Sequence, residues 1–284
     1  MKQHHPTNVS ITKASGEMVN FSKKKLHDSL KRAGASHEII NNVIEGLEAH
    51  LYSGISTKKI YKIAFRLLKQ NSKPIAARYH LKRGLMELGP SGFPFEKYIE
   101  KIFQHQRYTT ISEKILQGKC VFHEIDVIAE KENIRYLIEC KYHNQPGTVC
   151  DVKVPLYIHS RFKDVEEYWN SHKKNPNKPQ LKGMVITNTR FTIDAIKYGC
   201  CAGLELKGWN FPEKDNLRDM IDALKLYPIT CLTSITHHEK QILLNKNLVL
   251  CRDLLNNLEI LMSIGINEKR GIAITNECKQ LCIE

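Results

Sequence analysis

Asp126, Glu139 and Lys141 interrupt an otherwise mostly apolar stretch, HEIDVIAEKENIRYLIECKYH, residues 123–143. A two-residue turn at Glu132-Asn133, where Asn tolerates positive φ, sets a hairpin register. Lys131 then faces Ile134, Ala129 faces Tyr136, Val127 faces Ile138 and Ile125 faces Cys140, giving one apolar face. On the other face Asp126 lies opposite Glu139, with Lys141 two residues along and Glu124 nearby. Directly opposed carboxylates repel unless something positive sits between them. A hard divalent cation would resolve the repulsion, and Mg²⁺ (or Mn²⁺) characteristically takes one or two carboxylates together with waters and a substrate phosphate. Lys141 alongside would orient the attacking water or stabilise charge on that phosphate. The bland alternative is an edge hairpin with a solvated Lys–Glu pair. The apolar run Tyr136-Leu137-Ile138 argues for a covered sheet instead.

The elements around these residues fall into three segments. Residues 8–90 begin with a hairpin, VSITKASGEMVNF, turning around Ser15-Gly16. Ser22 caps a helix with Leu26 and Leu30 on one face, and Gly34 ends it. Helices follow in HEIINNVIEGLEAHLY, in STKKIYKIAFRLLKQ with Ser56 as cap, and in KPIAARYHLKRGLMEL. Gly89-Pro90-Ser91-Gly92 is the clearest break in the chain. In residues 91–226 a helix, FEKYIEKIFQHQ, puts Phe95, Tyr98, Ile99, Ile102 and Phe103 on its apolar side. The hairpin, a basic loop at 172–179 with Lys173, Lys174 and Lys178, the strand GMVITN, the helix TIDAIKYG and a strand near Leu204–Leu206 come next. That order predicts an α/β (α+β) layout with a mixed sheet. Thr187, Asn188 and Thr189 read as caps for the helix after them. Residues 227–284 read as a small helical extension: THHEKQILLN, LCRDLLNNLEILMSIG and NEKRGIAITNECKQLC. Ile264-Gly265-Ile266 reads as an ordinary helical turn, and His237-His238 as a helix start without a ligand role.

Whole-chain properties set the class. The 284 residues carry 43 Lys+Arg against 30 Asp+Glu, a net charge of +13, which favours a polyanionic partner such as DNA. No apolar run is long enough for a spanning helix, and the start MKQHHPTNVSITK lacks a secretory h-region, so a cytoplasmic protein without membrane contact is expected. Nine cysteines without a CxxC suggest reduced thiols. The spacing lets Cys251, Cys278 and Cys282 meet.

The D-x12-E-x-K spacing, behind a helix carrying Glu96, resembles the PD-(D/E)xK nuclease superfamily. More narrowly, GFPFEKYIEKIF, EIDVIA, YLIECKYH and KGMVITNTRFTIDAIKYG, in that order over about residues 91–210, are similar to the Mrr-like type IV restriction endonuclease domain. The resemblance implies a restriction-endonuclease-like mixed sheet flanked by helices and metal-dependent phosphodiester hydrolysis by in-line attack of water. It assigns Asp126 and Glu139, with the carbonyl of Cys140, to the metal; Lys141 to the nucleophile; and Glu96 to metal support through water. Gln145 follows the motif without a placed role.

Lys13, Gly16, Phe21, Lys25 and Leu26 follow the pattern I-x-K-x-x-G-x4-F-x3-K-L, which resembles the ATP-cone domain over about residues 8–88. Ala14 and Ser15 stand where that family commonly has a basic and an acidic residue. The resemblance implies that Lys13, Lys25 and Arg83 contact nucleotide phosphates and that Gly16 shapes the loop, with ATP or dATP as effector. No Walker sequence is present, so ATP hydrolysis is not expected. Together these features lead to a Mg²⁺-dependent DNA endonuclease, expected as a homodimer, in restriction or repair. A nucleotide-responsive DNA-binding regulator with an inactive nuclease fold and a junction-resolving nuclease stay open as alternatives.

Overall fold

The structure is a computed structural model and describes residues 9–171, 178–255 and 257–283. Lys173 and Lys174 of the basic loop lie outside the described residues.

The amino-terminal unit opens with the expected hairpin, β1 (Ser10–Thr12) and β2 (Met18–Asn20), antiparallel with Ile11 opposite Val19. Gly16 turns it at φ +84°, a conformation that favours glycine. Helix α1 (Lys23–Arg32) starts where Ser22 accepts the amide of Lys25, and α2 (His37–Glu48) follows a Ser36 cap. A short strand, β3 (Ile55–Ser56), joins β1 in parallel; the sequence alone does not signal it. Helices α3 (Thr57–Asn71) and α4 (Lys73–Met86) close a core of Leu30, Ile40, Val43, Leu47, Ile55 and Leu68.

Helix α5 (Phe93–His105) follows the glycine-proline break and buries all five of its expected apolar residues. Five strands form the main sheet: β4 (Thr109–Gln117), β5 (Phe122–Lys131), β6 (Ile134–Lys141), β8 (Gln180–Thr187) and β10 (Glu205–Lys207), with β7 (Val149–Cys150) and β9 (Arg190–Phe191) pairing separately. Their order is β10-β8-β6-β5-β4; β4, β5 and β6 run antiparallel, whereas β6, β8 and β10 run parallel. One face packs on α5 through Val127, Ala129, Tyr136, Ile138 and Cys140. The other packs on α6 (Lys153–Ser171) and α7 (Ile193–Cys201) through Ile128, Leu137, Leu181 and Val185. Gly183 of β8 permits the close fit, since a Cβ there would lie 2.6 Å from Leu204 and 3.1 Å from Phe162.

Strand β4, helix α6 and helix α8 (Leu217–Leu224) are elements that the sequence expectations leave unassigned. Thr192, not Thr187–Thr189, caps α7 through the amide of Ala195. After Tyr227 come α9 (His237–Asn245), α10 (Leu258–Ser263) and α11 (Glu268–Cys282). The expected single helix over LCRDLLNNLEILMSIG is broken by a 3-10 turn at Cys251–Leu254, where Asp253 accepts the amide of Leu250. Cys251, Cys278 and Cys282 meet in one buried core that also holds Leu81, Leu85, Tyr98 and Ile221. All nine thiols are unpaired. No helix among the described residues is long and apolar enough to cross a membrane.

Candidate active site and nucleotide cavity

The β5–β6 ladder has the expected register, with Lys131 facing Ile134, Ala129 facing Tyr136 and Val127 facing Ile138. The paired ladder then stops. The Oδ2 atom of Asp126 accepts the backbone amide of Cys140 at 2.7 Å, so a side chain takes the place of a ladder bond. Across β5, the β4 register skips the pair Glu113–Asp126, and Glu113 adopts φ +50°, uncommon for a non-glycine residue and a sign of a locally imposed backbone. The expected face of Ile125 is therefore corrected: it packs with Ile128, Leu137 and Val165 on the α6 side, not with Val127 and Cys140. Alternation fails where the strand bends around Asp126.

The bend brings the predicted charges together at one end of the sheet. Glu139 is nearly covered, its side chain 14% exposed, and its Oε1 lies 4.0 Å from Nζ of the half-exposed Lys141. Its Oε2 accepts from Arg161 at 3.0 Å, and the same guanidinium donates to the Glu124 carbonyl. Arg161 escapes a reading of the sequence because its helix, α6, has no signal there, with Pro155 near its start. Glu96 stands in the first turn of α5, close enough that a Cβ on Gly92 would lie 3.1 Å from its Oε1.

Burial is the largest cause pushing up the carboxyls of Glu96, Asp126 and Glu139 alike. Glu96 rises to about 7, with further contributions from Asp126, Glu113, Glu139 and Glu124. The Cys140 amide, Arg161 and Lys141 pull Asp126 back, and Arg161 and Lys141 do so for Glu139. Burial thus disfavours the charged form of all three carboxyls, a cost that a cation beside them would offset. Among the described residues no group of three or more His, Cys, Asp and Glu side chains is arranged to hold a metal ion. The donors are fewer: Oδ1 of Asp126 and Oε1 of Glu139, the partners of Oδ2 and Oε2 being Cys140 and Arg161. These two carboxylate oxygens are the ones that would hold Mg²⁺ or Mn²⁺, ions that take one or two carboxylates and retain most of their waters.

The raised Glu96 has a consequence for stability. The fold retains a proton that the unfolded chain releases, so stability falls as pH rises from the ordinary glutamate range towards 7 and then levels off. The Tm of the protein is expected to drop between about pH 5 and about pH 8, and Glu96→Gln to flatten part of that drop. Parallel Tm profiles for the two proteins would show that Glu96 does not hold the proton.

A second set of predicted residues meets at a cavity of about 440 Å³ between the hairpin unit and the sheet. Lys13, Thr57, Lys82 and Arg83 line one side, and Gly147, Thr148 and Arg190 the other. Gly16 sits in the bordering turn between Ser15 and Glu17, with nothing within 4 Å of a built Cβ. Lys25 is not brought to this cavity; it lies in the first turn of α1, where its amide donates to Ser22. Thr57, Lys82 and Arg190 belong to the lining without having been singled out by sequence. Gln145 finds a place in a neighbouring pocket with Gly92, Tyr142, His143 and Thr148.

Residues 9–85 match the ATP cone domain, and residues 227–282 match the family described as AF1548-like, C-terminal. A protein of Archaeoglobus fulgidus described as uncharacterized is 35% identical over 182 residues, 64% of this chain and 98% of that relative. A crystal structure described as that of AF1548, a protein of unknown function, aligns with a TM-score of 0.54 at 33% identity, covering 68% of this chain and 98% of that one.

Proposed function

The chain belongs to the AF1548-like family and carries an ATP cone domain; from the site's own residues we propose that it is a metal-dependent DNA endonuclease, and from the cone that ATP or dATP controls it. The convergence of Glu96, Asp126, Glu139 and Lys141 at a bend in a covered sheet carries the proposal. The net charge of +13 suits a DNA backbone as substrate. Mg²⁺ or Mn²⁺, when bound, would supply Lewis-acid stabilisation of the phosphate charge. Lys141, exposed at the end of β6, donates to a phosphate oxygen or holds the attacking water. Glu96, in the first turn of α5, would support the metal through water. A homodimer would serve a double-strand cut, and exposed Ile115 and Phe122 by the edge strand β4 offer apolar surface for it. The direct test is cleavage of a labelled duplex in Mg²⁺. Asp126→Asn is expected to lose cleavage by a factor of about a hundred or more. Equal cleavage by the two proteins would remove Asp126 from the site.

One observation favours the binding-only alternative. Arg161 holds Oε2 of Glu139 and so offsets that carboxylate's charge without a metal, leaving only Oε1 for one. The duplex test separates the two, since a regulator would retard the DNA without cutting it.

Control by nucleotide has a physical route. The segment after Lys141 runs directly into the cavity wall at Gly147 and Thr148. The Tyr142 hydroxyl shares its proton between the carbonyls of Met86, at 2.6 Å, and Gly89, at 2.9 Å, and Met86 lines the same cavity. His143 is clamped at both its amide and its carbonyl by Asn188. Tyr142→Phe is therefore expected to keep cleavage but bring the ratio of rates with and without ATP close to one. An unchanged ratio would show that this tie carries no coupling.

A further inference from the structure

A second cavity, about 270 Å³, lies on the other side of Lys82 and Arg83, between α1 and α4 of the cone and the segment 209–222 of the sheet unit. Its lining carries Arg32, Arg78, Lys82, Arg83 and Arg218 against one carboxylate, Asp222. Among the described residues no carboxylate lies within ion-pair distance of Arg32, Arg78, Lys82 or Arg83. Their stabilising contacts are of another kind. Arg83 stacks on Tyr61 at 3.6 Å, Tyr61 stacks on Tyr79 at 5.4 Å, and Nζ of Lys82 lies 5.7 Å from the centre of the Trp209 ring. Arg78 donates to the Gln280 carbonyl.

Asp222 cannot balance this group. It already accepts the Tyr227 hydroxyl at 3.1 Å, and burial pushes its carboxyl up. Arg218 turns part of its charge to Asp219 at 3.0 Å. Lys82 is left between Arg190 and Arg218, and burial first, then those two like charges, pull its ammonium down. An interface meant only to hold two units together would place carboxylates among these cations, because gathered like charges oppose docking. Aromatic faces combined with unpaired guanidinium groups instead suit a phosphorylated ligand.

We propose that this cavity is an anion site distinct from the hairpin cavity, taking the phosphate chain of a nucleoside triphosphate or of inorganic polyphosphate, with Trp209 facing a base where one is present. The proposal rests on the proposed nucleotide control for its effector class; the two cavities share Lys82 and Arg83, whereas Lys13 and Arg190 belong only to the hairpin cavity and Arg32 and Arg218 only to this one. A ligand there would touch α1 and α4 on one side and α8 on the other, and so would tie the cone to the sheet unit.

Trp209 makes the test direct, because it is one of two tryptophans. In full-length Trp169→Phe protein, Trp209 is the only indole, and its emission is followed during titration with ATP and, separately, with inorganic triphosphate. Equilibrium dialysis counts ATP in parallel. The expected result is about two ATP per chain, falling to about one in Lys13→Ala and to about one in Arg218→Ala. The Trp209 signal should survive Lys13→Ala, and Arg218→Ala should weaken it by about tenfold or more in dissociation constant. Arg32→Ala, an exposed change on α1, should weaken it likewise, and the remaining Lys13-dependent binding shows that these variants fold. A response to both probes assigns recognition to the phosphates; a response to ATP alone assigns it jointly to the base. Binding lost in Arg218→Ala but indifferent to Lys13→Ala would keep this site and overturn the hairpin cavity. A silent Trp209, or a signal abolished by Lys13→Ala and untouched by Arg218→Ala, overturns the proposal.

Discussion

Lys141→Ala is expected to lower the rate of DNA cleavage by about three orders of magnitude while leaving DNA affinity within about threefold. Lys141 ends β6 opposite Thr187 of β8, and its ammonium is 4.0 Å from Glu139 on a side chain that is 45% exposed. Little packing is lost with such a residue, and surface substitutions of this kind usually shift stability by less than about 0.5 kcal/mol. Binding depends on the field of 43 basic residues, of which one is removed. In the proposed mechanism the chemical step depends on the one compact ammonium placed where the phosphate becomes more negative, the neighbouring Arg161 being held by Glu139. Lys141→Arg is expected to recover little, because a planar fork does not reproduce a compact ammonium. Single-turnover cleavage and gel retardation of the same duplex measure the two quantities. Affinity and rate falling together would make Lys141 a binding residue only.

Tyr98→Ala is expected to cost about 4 kcal/mol of stability, measured by urea unfolding. Tyr98 is wholly buried on α5, and its hydroxyl donates to the Leu226 carbonyl at 2.6 Å. The substitution removes a ring from the largest core and leaves a buried carbonyl without its donor. Tyr98→Phe keeps the ring and separates the two effects, with an expected cost of about 1–2 kcal/mol. The same helix holds Glu96 two residues earlier, so Tyr98→Ala should also disturb the site from a distance. A loss below about 1 kcal/mol in Tyr98→Ala would contradict the placement of α5 against the α8–α9 connection.

Much of the central architecture was legible because its signals are local. The Glu132-Asn133 turn and the apolar alternation after it set the β5–β6 register that the structure has, although Glu132 at φ +55°, not Asn133, takes the left-handed conformation. Ser22 and Ser56 marked helix starts that their side chains do cap. What stayed hidden depends on the fold. Strand β4 bends at Glu113 and exposes Ile111 and Ile115, so its alternation is obscured. Helix α6 buries few residues, among them Pro155, Ile158 and Val165, and so lacks a clear stripe; Arg161 was hidden with it. Ile125 changed face because the Asp126 carboxylate replaces a backbone partner, and no spacing rule announces that. Thr57 and Lys82 meet across α3 and α4, and Arg190 joins them only because the sheet unit docks there, while Lys25 matches its pattern yet sits away from the cavity.

The most direct measurement is incubation of supercoiled plasmid, methylated and unmethylated, with the purified protein in Mg²⁺, with and without ATP. Nicked or linear DNA that disappears when Mg²⁺ is chelated, and whose yield changes with ATP, is the predicted result. A plasmid that is retarded but stays supercoiled in every lane would contradict the nuclease and make the chain a nucleotide-responsive DNA-binding protein.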